Sequence, residues 1–276
     1  MPRGPSDVPT RAELRAQLVD TRIAGDVDTT RQSNVKHYRR LAAGDPYYDL
    51  GLTFDRAWSF ADILALMAER AGVDPDPRHV MGADTIDPDR TIDAVERMAK
   101  RVAGAADRRE RVLLATGHPG GMLPVYLRLA EVLRDRGCEL LTPEEGWRYD
   151  APAHAEDHTE PDGGRIAYDH CVAMLVDRIG PHHTHAPEPM RALLAGLAAE
   201  GAPPPGFVVA DHGFAGAAAE AGVETVAFAD CNDPALFLGE AEGRVAVTVP
   251  LDDHVSPRHY APMTAYLLDQ AGLLDD

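Results

Sequence analysis

The chain has 276 residues, 45% of them apolar, and a net charge of −18. That apolar content supports one sizeable core, and so acidic a balance excludes nucleic acid and anionic membrane surfaces as natural partners. No apolar run reaches the roughly 18 residues of a membrane span, and Met1-Pro-Arg-Gly-Pro5 lacks a signal-peptide core, so a cytoplasmic location is expected.

In chain order, helical periodicity is expected over residues ~10–24, ~30–43, ~58–72 and ~90–105, separated by turn-rich stretches such as Gly44 to Asp49 and Asp74 to Arg78. From residue ~111 the pattern changes to alternating strand and helix. Strands are expected at ~111–116, ~138–142, ~170–176, ~206–210, ~224–229 and ~244–250, and helices at ~121–136, ~187–200, ~213–222, ~233–241 and ~257–273. The region from Pro143 to Arg165 is rich in Pro, Gly, Asp and His without periodicity, and is expected to be a mobile loop or lid. The fold class that follows is α/β, with a parallel sheet of Rossmann-like type and an N-terminal helical cap. Residues 1–105 form the helical region and residues 106–276 the α/β part carrying the site, within one compact unit.

Four apolar segments end in polar clusters: Thr116-Gly-His-Pro-Gly-Gly121, Asp211-His-Gly213, Asp230-Cys-Asn-Asp233 and Asp252-Asp-His254. Loops at the carboxyl ends of parallel strands gather in one crevice, where ligands bind, so this recurrence reads as an active site. The first cluster lies between a strand and a helix, where backbone N–H groups hold an anion. It lacks a Walker Lys and dinucleotide spacing. Thr116, Gly117, Gly120 and Gly121 are therefore candidates for binding one phosphate or carboxylate, the plain alternative being a tight turn. Asp211, Asp230 and Asn232 offer oxygen donors suited to Mg²⁺, while Asp233 suits either catalysis or a helix N-cap. Asp252, Asp253 and His254 are equally well explained by a turn. His118 and His212 are candidate proton donors. The His183-x-His185 pair has a spacing seen in metal sites, but a solvated His-rich loop explains it as well.

The three cysteines, Cys138, Cys171 and Cys231, lack Cys-x-x-Cys spacing and read as reduced thiols, Cys231 also admitting a nucleophilic role. Cysteine, histidine and binuclear phosphatase signatures are absent. The strings Asp26-Val-Asp-Thr-Thr30 and Asp87-Pro-Asp-Arg-Thr91 have a phosphoaspartate spacing, but neither follows an apolar strand, and turn and cap chemistry explains them better.

As a set, Thr21 to Asp26, Ala115 to Gly121, Val209 to Gly213, Ala229 to Leu236 and Val249 to His254 resemble a broadly named actinobacterial phosphatase family, from about residue 12 to the C-terminus. A looser architectural likeness connects the chain to damage-control phosphatases and D-glutamate cyclase-like proteins. The resemblance implies hydrolysis of a small phosphorylated metabolite. Combined with the residues above, the expected mechanism has the 116–121 loop holding phosphate and Asp211, Asp230 and Asn232 holding a divalent metal, with Mg²⁺ expected. His118 or His212 protonates the leaving oxygen, and Arg22 and His37 contact substrate from the cap. A lyase, cyclase or isomerase acting on a carboxylate, or a non-catalytic small-molecule binder, remains an alternative. A homo-oligomer is compatible with the sequence.

Overall fold

The computed structural model describes residues 8–150 and 163–274. Local signals set the first elements. Helix α1 (Arg11–Asp20) opens on a capping box in which the Thr10 hydroxyl and the Glu13 carboxylate satisfy each other's backbone N–H. It leads to strand β1 (Gly25–Thr30) and helix α2 (Arg31–Ala42). Helix α3 (Phe60–Arg70) starts from a second capping box, Ser59 with Asp62. Strand β2 (Ala83–Ile86) pairs antiparallel with β1 in a two-stranded ribbon that the helical periodicity of this region did not announce. Helix α4 (Pro88–Arg108) is capped by Asp87, whose carboxylate accepts the Asp89 N–H, and Thr91 donates to the Pro250 carbonyl over 2.8 Å. Turn and cap chemistry therefore accounts for the second phosphoaspartate-like string.

The alternating part follows: β3 (Arg111–Ala115), α5 (Pro119–Asp135), β4 (Glu139–Leu140), β5 (Arg148–Asp150), β6 (Gly163–Asp169), β7 (Val172–Val176), α6 (Glu188–Ala199), β8 (Phe207–Asp211), α7 (His212–Glu220), β9 (Thr225–Ala229), α8 (Pro234–Ala241), β10 (Val247–Pro250), a 3-10 turn (Pro257–Tyr260) and α9 (Ala261–Gln270). The strands lie in the order β10-β9-β8-β3-β7-β6-β5, with β4 pairing beside the start of β3. Strands β10, β9, β8, β3, β4 and β7 are parallel, as buried apolar runs predict, and β8, β9 and β10 are buried along their whole length. The edge departs from the parallel expectation: β6 runs antiparallel to β7, and β5 antiparallel to β6. Part of the region expected to be a lid is thus sheet, because Gly163 to Arg165 pairs with β5 and Arg165 to Asp169 along the whole of β7. Residues 151–162 of that region lie outside the described residues.

Helices α4, α5 and α9 pack on one face of the sheet, and α7 and α8 on the other, with α6 beside α7. Helix α4 turns Ile92, Val95, Met98, Ala99, Val102 and Ala106 inward, one stripe at helical spacing that meets β10 and α9. The helix contains residue 105 and packs on the sheet. A stripe tells that a helix is half-buried, not which surface buries it. One continuous apolar core runs from Leu14 to Leu273.

The ribbon is held to α2 by a buried ion pair. Arg31 and Asp84 have fully buried side chains 2.8 Å apart. The Arg31 guanidinium also donates to the carbonyls of His79 (2.8 Å) and Asp76 (3.1 Å), and Asp84 accepts from Asn34 (2.7 Å) and the N–H groups of Asp74 (3.1 Å) and Thr85 (2.9 Å). Removing one member strands the other in an apolar setting. Asp84→Ala should cost roughly 3–5 kcal/mol of unfolding free energy, measured by urea denaturation. A loss below about 1 kcal/mol would contradict this account of the ribbon.

Candidate active site

From β3 the chain passes to β4 and β7 on one side, and from β8 to β9 and β10 on the other. The carboxyl ends of β3 and β8 are therefore the switch point of the sheet, where a parallel sheet opens a crevice. Asp211 ends β8 there, 1% exposed. Its carboxylate accepts from the hydroxyls of Thr116 (2.7 Å) and Tyr126 (2.8 Å), from the Gly117 N–H (2.5 Å) and from His212 Nδ1 (3.0 Å). Burial alone would raise its pKa, but the His212, Thr116 and Tyr126 contacts outweigh it and hold Asp211 below the usual carboxylate range. Four donors thus occupy the Asp211 carboxylate, and one of them is the His212 ring.

His212 sits at φ +46°, in the left-handed region, on the strand-to-helix turn. With Nδ1 committed to Asp211, its Nε2 points at Asp233 (3.3 Å), His183 (3.3 Å) and Asp253 (3.5 Å). Burial opposes its charge, but Asp233 and Asp211 outweigh burial and raise its pKa well above the ordinary value. Asp233 occupies the N-cap position of α8 yet makes no capping bond; its carboxylate faces His212 instead. His118 Nδ1 lies 3.0 Å from Asp253 Oδ1, and its Nε2 lies 3.4 Å from Nδ1 of the exposed His254. Burial works against charge on His118 too, and Asp253 raises its pKa nonetheless. His183 stacks on His118 at 4.6 Å and His185 packs on His212 at 4.6 Å. Burial, His212 and His118 push His183 down to about 3, and burial with His212 and His183 pushes His185 well below 6.5, so both rings are neutral. His182 turns away, 3.9 Å from Asp177.

A second group is purely acidic. Asp230, Asp252 and Asp253 are buried and present oxygens within 4.8 Å of one another. Asp230 accepts from the Cys231 N–H (2.5 Å) and from the Thr29 hydroxyl; Asp252 accepts from the N–H groups of His254 (2.9 Å) and Asp28 (3.0 Å). Burial and then Asp253 and Asp252 push Asp230 well above the carboxylate range, and burial raises Asp252 as well. His118 and His212 hold Asp253 low against burial. Asp253 Oδ2 is buried with no hydrogen-bond donor among the described residues. Two donor sets in the crevice suit a divalent ion, His185–His212–Asp233 and Asp230–Asp252–Asp253, with His118–His183–His212 an overlapping third.

Other expected site residues take different places. Gly117 donates to Asp211, His118 N–H to Thr116 (3.0 Å), and Gly121 and Met122 N–H to the His118 carbonyl (3.3 and 3.0 Å), so Gly120 holds the loop N–H that these bonds leave over. The loop thus bonds most of its N–H groups within itself, and the Thr116 hydroxyl donates to Asp211. Its glycines serve close packing, since a Cβ on Gly121 would lie 2.1 Å from the Asp253 carbonyl and one on Gly117 2.4 Å from that of Thr184. The Asn232 amide donates to Ser33 (3.3 Å), and Asp252 and Asp253 lie with Asp230. His37 donates to the Asn232 carbonyl over 2.7 Å and packs on Tyr48. Arg22, at φ +63°, bonds the Asp26 carbonyl (3.0 Å) and pairs with Asp28 on an exposed rim. Cys231 is fully buried against Asn34, and burial and Asp230 push its thiol up, which leaves no nucleophile there.

The site takes in Asp252, Asp253, His183, His185 and Thr29, which the sequence alone left open or set aside. Signals existed for four of them: a fourth strand end carrying acids, and the His-x-His spacing. Thr29 had none, because β1 belongs to a different sheet.

Residues 9–275 match the family model described as Phosphatase. The chain belongs to that phosphatase family. A Streptomyces coelicolor protein named Phosphatase SCO2771 is 54% identical over 267 residues, covering 96% of this chain and 97% of that protein. The resemblance carried by the motifs is borne out, and membership supports phosphatase activity. No helix among the described residues of this phosphatase is long and apolar enough to cross a membrane.

Two substitutions separate packing from ligand contact. Gly120 is exposed with open space around its Cβ position, so Gly120→Val should stay within about 1 kcal/mol of wild type in unfolding, whereas Gly121→Val should unfold far more easily. Equal thermal stabilities would contradict the packing role. Asp211→Asn presents an amide to four donors and releases His212; activity should fall on the order of 10- to 100-fold, with unfolding at lower temperature. Wild-type rates in steady-state assays would refute the orienting role.

Proposed function

We propose that this phosphatase hydrolyses the phosphate monoester of a small metabolite with the help of a divalent cation. The observation that carries the reading is Asp253, a buried carboxylate with one oxygen lacking a donor, standing between imidazoles and two further buried carboxylates. Carboxylates crowded in a buried site cost several kcal/mol each unless positive charge compensates them, and imidazolium groups compensate only part. A cation fits that donor chemistry. His185, His212 and Asp233, or Asp230, Asp252 and Asp253, would hold it, and the imidazoles favour a transition ion over the expected Mg²⁺. When bound, such an ion polarises a phosphoryl oxygen and lowers the pKa of water.

The chain's own groups divide the remaining work. Asp211 fixes the His212 ring with Nδ1–H donated and Nε2 turned into the crevice. His118, held on one side by Asp253 and facing solvent-exposed His254 on the other, is the group to protonate the departing alkoxide and to recover its proton from solvent. Arg22 on the rim, His37 on the wall and the Gly120 N–H at the start of α5 are the candidate substrate contacts, the last favoured by the helix dipole.

Phosphate release from a panel of metabolite phosphates, with Mn²⁺, Co²⁺ or Mg²⁺ and with chelator, tests the reading. Chelator should abolish release and the ion restore it. Asp253→Asn should lower kcat/KM by at least about 100-fold, the loss expected when several kcal/mol of transition-state stabilisation go. Release that persists undiminished in chelator, or no release from any ester, would overturn the proposal.

A further inference from the structure

The carboxyl edge of the sheet carries more ligand atoms than one ion can use. The two imidazole-containing sets, His118–His183–His212 and His185–His212–Asp233, share His212. A ring that donates Nδ1–H to Asp211 has a single lone pair, on Nε2, so His212 can serve only one ion at a time. Those two sets are therefore alternatives. In the second set all three residues are buried, while His183 of the first keeps surface open to solvent, its ring packed on His118. The acidic set, Asp230–Asp252–Asp253, shares no residue with either.

Asp253 lies between the two halves. Its Oδ1 stands 3.0 Å from His118, its Oδ2 3.5 Å from His212 Nε2, and it belongs to the acidic set. Its side chain is 7% exposed and Oδ2 has no hydrogen-bond donor among the described residues. One oxygen of Asp253 thus faces the ring shared by the imidazole sets while the same carboxylate belongs to the acidic set, the placement of a side chain that bridges two ions. The halves also differ in kind. One offers two nitrogens and one oxygen, the choice of Zn²⁺, Co²⁺ or Fe²⁺; the other offers oxygens only, the choice of Mg²⁺ or Mn²⁺.

We infer that the crevice binds two unlike divalent ions, a transition ion on His185, His212 and Asp233 and a harder ion on Asp230 and Asp252, with Asp253 placed to bridge them. This rests on the metal-assisted reading for the cation but not for the substrate.

Metal binding itself tests it, on the full chain stripped with chelator and titrated with Co²⁺ by equilibrium dialysis, elemental analysis and visible absorption. Wild type should take up two Co²⁺ per chain, and about a 100-fold excess of Mg²⁺ should displace one of them while the nitrogen-ligated Co²⁺ absorption remains. His185→Ala should hold one ion and lose that absorption; Asp230→Asn with Asp252→Asn should hold one and keep it. Circular dichroism establishes that each variant is folded, and if one is not, wild-type stoichiometry with Mg²⁺ competition decides alone. One ion or three in wild type, displacement of both by Mg²⁺, or loss of both in either folded variant would overturn the inference. Two ions without release from any phosphate ester would leave it standing and overturn the phosphatase reading; release by a chain that holds one ion would do the reverse.

Discussion

A carboxylate with 1% of its surface exposed stays charged only where donors replace the water it has lost, and Asp211 meets that condition with four of them. The donors come from the loop after β3, from α5 and from the next residue of its own turn, so a single side chain ties the two halves of the sheet together at their switch point. The same bonds fix His212 in one tautomer and hold it at a backbone angle that a non-glycine residue rarely adopts. Every other distance in the crevice is measured from that ring. Asp233, Asp253, His183 and His185 gather around it from three loops, those after β9, β10 and β7.

The glycines make this gathering possible. Gly121 lets α5 approach the Asp253 carbonyl, and Gly213 lets α7 approach the backbone of His185 and Ala186, where a Cβ would stand 2.2 Å from the His185 carbonyl. Any side chain at these positions would push apart the loops that carry the charged groups. Once together, the charges sort one another. Asp253 raises the pKa of His118, and Asp233 with Asp211 that of His212; burial lowers those of His183 and His185; burial and acidic neighbours raise those of Asp230 and Asp252. A centre with neutral imidazoles on one side and crowded oxygens on the other is suited to receive cations, and the excess of acid over base in the crevice is the local form of the chain's overall charge.

Much of this was legible in the residues before any coordinates. The buried strands β3, β8, β9 and β10 are short apolar runs with few other ways to fold, and each ends in chemistry that an open parallel sheet must bring to one edge. Asp230, Asp233, His118 and His212 followed from that rule. The antiparallel edge β5–β6 did not, because Arg148-Tyr-Asp150 carries no strand pattern and owes its conformation to pairing with β6. In the string Asp26-Val-Asp-Thr-Thr30, Thr29 and the Asp28 N–H reach the site through a ribbon that lies outside the main sheet.

The sequence by itself determined the fold class, the set of strand ends and the kinds of groups they carry, since periodicity and strand-end composition are local properties. Which carboxylate supports a ring and which faces the crevice was decided only by tertiary structure. Asp211 and Asp253 look alike as strand-end aspartates. They differ because four donors converge on the first, while one oxygen of the second is left without any, and hydrogen-bond partners 85 to 95 residues away in the chain have no signature in its neighbours.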